Sequence, residues 1–295
     1  EASNADKTTN YYELARNSLI KSLELSNDFA ILPSGYGTTA AIKHFQELLG
    51  LYIPPATKKR FSFKIDKKTA PLVIVGPYEH HSNEVSFREA LCEVQRINLD
   101  KQGLVDLNHL KEVLEKNKHR EIIASFTIAS NVTGIITPYE ELSKILRTYN
   151  AIVCFDAAAS SPYMNIPSHL YDAMFMSPHK LLGGPASCGL LIIRKSLVDT
   201  SIAPTFAGGG TVLYVNKTSQ TYQNDIETRE TAGTPPILQF IRASLAYQLR
   251  NEIGFKFIKK QKDELKEYFI SELKKISNCE IYGNQEVSNI GIISF

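Results

Sequence analysis

Ala151-Ile-Val-Cys-Phe-Asp156 and Ala173-Met-Phe-Met-Ser-Pro-His-Lys180 are two short apolar runs, each delivering a charged residue at or just past its end. Apolar runs of this length, bounded by polar or turn residues, read as strands covered on both faces. An aspartate closing one strand and a lysine on the turn after the next would stand at the same edge of a parallel sheet. A lysine amine there can form a Schiff base with an aldehyde, and a buried carboxylate can hold a protonated pyridine nitrogen. At about 4 Å and an effective dielectric near 20, such a carboxylate stabilises a pyridinium by roughly 4 kcal/mol, about three pKa units. Plainer readings stand beside these: Asp156 as a helix cap before Ala157-Ala158-Ala159, and Lys180 as a surface residue.

Outward from this pair the pattern repeats. Strands are expected at Phe29–Leu32, Leu72–Val75, Glu93–Ile97, Ile122–Thr127, Ile152–Phe155, Ala173–Met176 and Leu190–Ile193. Helices are expected at Tyr11–Leu25, Thr38–Leu49, Ser82–Leu91, Asp106–Lys116 and Tyr139–Tyr149. Such alternation predicts an α/β fold in three layers, a mainly parallel sheet with helices on both faces. Pro204–Pro236, rich in Gly, Thr and Asn, reads as a long functional loop region. Helices at Ile237–Arg250 and Gly254–Ile276 follow, then new strand patterns at Glu280–Tyr282 and Ile290–Phe295. Residues 1–276 are thus expected to form a large domain, and 277–295 the start of a smaller C-terminal domain most of which is missing.

Composition narrows the function classes. The 295 residues are 43% hydrophobic and 22% charged, with a net charge of +2. That is an ordinary globular balance and gives no case for nucleic acid or an anionic membrane surface. Lys58-Lys59-Arg60 and Lys259-Lys260 read as solvated faces. No apolar run approaches 18 residues, and Glu1 to Asn10 is polar rather than signal-like. Cys92, Cys154, Cys188 and Cys279 contain no Cys-x-x-Cys pair, which fits a reducing cytoplasm better than a disulfide scaffold or a zinc site.

Four further segments carry chemistry. Gly35-Tyr-Gly-Thr-Thr-Ala40 joins a strand to a helix and matches a loose dinucleotide pattern, but Gly76-Pro77 stands where a ribose-binding acid would follow the next strand. What remains is a helix N-terminus with the hydroxyls of Thr38 and Thr39, suited to one phosphate or to a plain cap. In Glu79-His-His-Ser-Asn83, two histidines adjacent in an extended stretch point apart and make no metal site. His80 is either a surface residue or a ring stacked on an aromatic cofactor. Asn131, in Ser130-Asn-Val-Thr-Gly134, is either a turn residue or a carboxamide at the sheet edge. Ser177 and His179 flank Lys180 and can both donate to a phosphate. Together with Lys180 and Asp156 they describe a pyridoxal 5'-phosphate (PLP) site, with no metal.

Seven pieces in register extend this reading: Gly37-Thr-Thr39, Glu79-His-His-Ser-Asn83, Ser130-Asn-Val-Thr-Gly134, Asp156-Ala-Ala, Ser177-Pro-His-Lys180, Gly208-Gly-Gly-Thr211 and Ala232-Gly-Thr-Pro235. In this order they resemble the class V aminotransferase, cysteine desulfurase-like family of PLP-dependent enzymes, of the aspartate aminotransferase fold. The resemblance implies catalytic roles for Lys180, as Schiff-base lysine and acid/base, and for His80, as the ring stacked on the pyridine. It implies that Asp156 holds the pyridine nitrogen and that Asn131 reaches the cofactor oxygen or the substrate. Thr38, Thr39, Ser177 and His179 would bind the phosphate. Thr234 and the Gly208–Gly210 loop would reach the neighbouring site of a homodimer with shared active sites.

The implied function is a PLP-dependent transferase or lyase acting on a small amino acid, of the cysteine desulfurase or selenocysteine lyase type, with a possible sulfur-acceptor protein as partner. Alternatives are another class V reaction (transamination, epimerisation or a different elimination) and a catalytically incomplete binding module with this fold. Two departures from the family pattern bear on the choice. Ala159 stands where the family often has a glutamine that bonds the cofactor oxygen. None of the four cysteines sits where the family has its sulfur nucleophile, and the substrate-binding arginine also normally lies in the C-terminal part.

Overall fold

The first helix of the molecule, α1 (Ala2–Ser22), leads into strand β1 (Phe29–Ser34), helix α2 (Gly37–Leu48) and the short helix α3 (Pro55–Phe61). Then follow β2 (Leu72–Val75), α4 (His81–Arg88), β3 (Glu93–Arg96), α5 (Leu107–Asn117), β4 (Ile122–Thr127), α6 (Tyr139–Arg147), β5 (Ile152–Asp156), β6 (Ala173–Met176) and β7 (Gly189–Arg194). The hairpin β8 (Val212–Val215) and β9 (Gln220–Tyr222), a short α7 (Ile226–Arg229), and the long helices α8 (Ile237–Ile253) and α9 (Phe255–Leu273) complete the order. The structure, a computed structural model, describes residues 2–62, 66 and 69–295.

Seven strands form one sheet in the order β1-β7-β6-β5-β4-β2-β3. Strands β3, β2, β4, β5 and β6 are parallel to one another. Strand β7 is antiparallel to both β6 and β1, so β1 runs with the parallel set. The strands read as unbroken apolar runs because both faces are covered. Leu72, Ile74, Ala124, Phe126, Val153, Phe155, Met174 and Met176 pack into one core. The residues between them, Val73, Val75, Ile123, Cys154, Ala173 and Phe175, pack into a second. This period of two sends alternate side chains to opposite layers. The first core is closed by α1 (Ala15, Leu19), α5 (Leu110, Val113), α6 (Leu142, Leu146) and α8 (Phe240, Tyr247). The second is closed by α2 (Ala41, Ile42, Phe45) and by Phe87 of α4. Each fully buried Leu, Ile or Phe contributes roughly 1.5–3 kcal/mol relative to exposure, so the two cores fix the three layers.

Arg250 anchors α8 to the chain that leaves β5. It is buried, with Nη1 donating to the Ser161 carbonyl at 2.6 Å and Nη2 to Asn165 Oδ1 at 2.6 Å.

Several boundaries differ from expectation. Helix α1 begins at Ala2 rather than Tyr11, because residues 6–11 are solvent-exposed and carry no apolar stripe to read. The loop region 204–236 contains the β8–β9 hairpin and α7. The strands expected at 280–282 and 290–295 are reduced to single bridges, Tyr282 with Ser294 and Asn289 with Ile135, since neither segment lies along a sheet edge. Among the described residues no helix is long and apolar enough to cross a membrane.

Candidate functional site

Because β1, β2, β4, β5 and β6 share a direction, the segments leaving them gather at one edge of the sheet, the usual place for ligands in open α/β folds. The cleft there is lined by Thr38 and Thr39 from α2, His80 before α4, Asn131 after β4, Asp156 at the end of β5, and Ser177, His179 and Lys180 after β6. Eight of the nine residues singled out in the sequence therefore meet in one place. The ninth, Thr234, does not. It is exposed in a neighbouring cavity with Ser34, His44, Thr205 and Glu230.

One end of the cleft is the N-terminus of α2. Its cap, Tyr36, makes no side-chain capping bond. Thr38 N donates to Ser177 Oγ at 2.9 Å, and the two hydroxyls lie 2.8 Å apart. The Thr39 and Ser82 hydroxyls lie 2.7 Å apart and tie α2 to α4. Gly37 has φ +72°, and a Cβ there would fall 2.6 Å from His179 Cε1 and 2.9 Å from Ser177 Oγ. Gly189 allows the helix to come this close, since a Cβ on it would lie 2.3 Å from the Gly37 carbonyl oxygen. Backbone N–H groups, hydroxyls and an imidazole around an open helix start make a cradle for a phosphate. Replacement of Gly37 by alanine is expected to cost about 1–2 kcal/mol for the left-handed backbone alone. Filling the cradle is also expected to weaken phosphate-ester binding by about tenfold for each 1.4 kcal/mol lost. A thermal melt together with a PLP titration followed by absorbance separates the two effects.

At the other end Asp156 is buried, with Oδ1 accepting the Ala158 N–H at 2.8 Å. Its Oδ2 has no protein donor among the described residues. Burial pushes the Asp156 carboxyl up to about 6, opposed by the Ala158 bond and by Lys180. The Ala158 bond is an Asx-type contact beyond the strand, so the capping reading is met, and the second oxygen remains for a ligand. Lys180 ends a short 3-10 turn, Pro178–Lys180, held by its own N–H to the Ser177 carbonyl at 3.0 Å. Among the described residues no carboxylate lies within ion-pair distance of its amine. A surface lysine is free in the same way, but this one lines the cleft between the phosphate cradle and Asp156.

His80 is not in an extended run with His81. It is the N-cap of α4, with Nδ1 accepting the Ser82 N–H at 3.2 Å, while His81 begins the helix. With Nδ1 occupied as an acceptor, the neutral ring carries its proton on Nε2. Burial, then Lys180 and His81, lower the His80 pKa and keep the ring neutral. His179 is lowered by burial and by Lys180. The Ser130 hydroxyl closes the turn after β4, accepting from Val132 N at 3.2 Å and Thr133 N at 3.1 Å. Asn131 is thereby released from the turn role and lines the cleft. Ala129, Ala158 and Ala159 form a small apolar wall beside it.

The fit of PLP can be judged from this donor set. An anion cradle, a free amine and an unpaired buried carboxylate oxygen occur in the sequence that a phosphate, an aldehyde and a pyridine nitrogen require. The residues present fit the cofactor. Among the described residues no group of three or more His, Cys, Asp or Glu could hold a metal ion.

Sheet order and site together define the large-domain architecture of the PLP-dependent transferases. The family model for class V aminotransferases matches residues 62–295. A probable cysteine desulfurase of Streptomyces coelicolor is 30% identical over 229 residues, 75% of this chain and 52% of that protein. One from Staphylococcus epidermidis is 31% identical over 229 residues, 76% of this chain and 54% of its own. Among solved structures, the apo cysteine desulfurase of Thermococcus onnurineus superposes with a TM-score of 0.80 at 24% identity, covering 98% of this chain and 68% of that one. An Escherichia coli cysteine desulfurase gives 0.77 at 22%, covering 97% and 68%. The chain belongs to the class V aminotransferase family. It spans about half the length of the curated relatives it matches.

Proposed function

We propose that this protein binds PLP and acts on a small amino acid by a cysteine desulfurase or selenocysteine lyase type of reaction. The observation that carries the reading is the line from the α2 cradle through the free Lys180 amine to the unpaired Oδ2 of Asp156. The names of the similar proteins support the choice of substrate class. When bound, PLP supplies an electron-withdrawing ring that acidifies the Cα–H of an attached amino acid.

The chain's own residues do the rest. Thr38, Thr39, Ser177 and His179 hold the phosphate, and Asp156 holds positive charge at the far end. His80 presents its face and its Nε2–H to the cleft. Lys180 Nζ anchors the cofactor and, once released, takes a proton from the substrate Cα. Asn131 orients an oxygen of cofactor or substrate, and the alanine wall beside it excludes water.

The sulfur acceptor is a thiol outside these 295 residues, on a longer chain or on an acceptor protein. None of the four cysteines lines the cleft, and burial raises Cys92 to about 11 and Cys188 to about 12, and Cys154 well above an ordinary thiol. All four are free thiols, which suits a cytoplasmic setting. A homodimer with shared sites follows from the exposed Leu213, Tyr214 and Val215 of β8 with Phe206, Leu182 and Leu238 nearby in sequence to the site loops. In that dimer Thr234 and the Gly208–Gly210 loop serve the partner's cleft. Residues 277–295 are read as the opening of a second, smaller domain.

The test is direct. Protein incubated with PLP should develop a stable visible absorption band and, given cysteine and a dithiol reductant, release alanine and sulfide in equal amounts. No band overturns the cofactor reading. A band without alanine or sulfide overturns the desulfurase reading and leaves the other class V reactions.

A further inference from the structure

Behind Asp156 lies a second carboxylate that the proposed reaction does not use. Glu79 is half-buried as a residue, but its carboxylate is turned into the protein. Its Oε1 accepts the N–H groups of Gly76 at 3.2 Å and Thr127 at 2.9 Å, and its Oε2 accepts Asn83 Nδ2–H at 2.6 Å. Asn83 is fully buried, and its Oδ1 accepts the hydroxyl of the equally buried Ser125 at 2.6 Å. The carboxylate thus joins the exit of β2, the end of β4 and the first turn of α4. Thr127 is the register partner of Asp156 across β4 and β5, which places the two acids on adjacent strand ends.

The donor set is that of an anion: three N–H groups point at the carboxylate and nothing accepts from it. No lysine, arginine or histidine lies within ion-pair distance of it among the described residues. Strands β2 and β4 contribute no ionisable side chain there. Glu84, on α4, is turned to Arg88 and Arg96. The charged groups that remain to face Glu79 are Asp156, with Lys180 beyond it in the cleft, and the neighbouring His80. Two acids are therefore set against one lysine, and that lysine is the residue assigned to hold the cofactor.

We propose that Glu79 is a positioning residue for Asp156, an uncompensated charge behind the aspartate that makes the deep end of the cleft selective for a cation. This rests on the PLP reading only for the identity of that cation; the coupling of the two carboxyls does not depend on it. A neighbouring negative charge raises the proton affinity of whatever sits on Asp156. In the cofactor-free protein the same coupling holds a proton on the pair. Burial, with a contribution from Asp156, pushes Glu79 up to about 8 against the pull of its N–H donors.

The experiment compares wild type with Glu79→Gln, which keeps the shape and one accepting oxygen and removes the charge. Carboxyl carbon NMR of the cofactor-free protein should show Glu79 titrating far above ordinary glutamates. In Glu79→Gln the Asp156 midpoint should fall by roughly tenfold in proton affinity. In PLP-loaded protein the pH titration of the visible band should move in the same direction. Unchanged midpoints in both states overturn the proposal, as does a Glu79 that titrates in the ordinary range. Should Glu79→Gln fail to fold, Asp156→Asn read at Glu79 in the cofactor-free protein serves instead: its midpoint must fall, and a fixed one overturns the coupling. Absence of any visible band defeats the PLP reading alone, because the cofactor-free titrations still decide the coupling.

Discussion

Lys180→Ala is expected to give a folded protein that no longer develops the visible band with PLP and has lost at least about 10³-fold in turnover, within the range that a positioned acid/base supplies. The fold should tolerate the change. Lys180 is exposed, has no ion-pair partner among the described residues, and contributes to the turn only through its backbone N–H to Ser177. Surface substitutions of this kind shift stability by no more than about 0.5 kcal/mol. Lys180→Arg sharpens the result. It keeps the positive charge near Asp156 but offers no unprotonated amine, so it should also lack the band. Absorbance after gel filtration, with a melting curve for each variant, checks both. A band that survives in Lys180→Ala assigns the anchor to another lysine and overturns the site.

The physical reason that Lys180 and Asp156 could be found in the sequence is that strands buried on both faces leave a clear signature. Val153-Cys-Phe155 and Ala173-Met-Phe-Met176 are apolar throughout because α-helices cover each side, so the first polar residue after them marks the sheet edge. The β8 strand carries no such mark. Three of its four residues, Leu213, Tyr214 and Val215, are exposed, so no alternation exists to separate it from a loop. Helix α3 is short, with no buried residue, and starts at a Pro-Pro pair. The site residues that sequence reasoning missed act through contacts distant in the chain. Glu79 was visible only as the first letter of a histidine-bearing motif, yet its bond to Thr127 spans 48 residues. Ser82 works by joining His80 to Thr39, 43 residues earlier, and Ser130 by taking over the turn role that Asn131 alone suggests. The Asp106 cap of α5, by contrast, is local and stands where the sequence placed the helix start.

Asp156→Asn is expected to separate function from stability in opposite directions. The amide keeps the bond from Ala158 N–H but carries no charge, so the deep end of the cleft no longer favours a cation. One ionic contact at an effective dielectric near 20 is worth roughly 4 kcal/mol, which corresponds to about a 10³-fold loss of turnover in the PLP-loaded protein. In the cofactor-free protein the same substitution should stabilise. The folded Asp156 carboxyl titrates at about 6 against 3.8 for an ordinary aspartate, so the native state binds the proton more tightly than the unfolded chain. Between those values stability falls as pH rises, and above about 6 the full penalty of an ionised buried carboxylate is present. That penalty is on the order of 3 kcal/mol. It vanishes below the unfolded value, where both states are protonated. Denaturant melts of cofactor-free wild type and Asp156→Asn should therefore coincide near pH 3.5 and diverge towards pH 7, with the variant more stable. A variant that is less stable at pH 7, or a gap that does not change with pH, contradicts the assignment of Asp156 as an acid that the fold holds at a cost for the sake of its ligand.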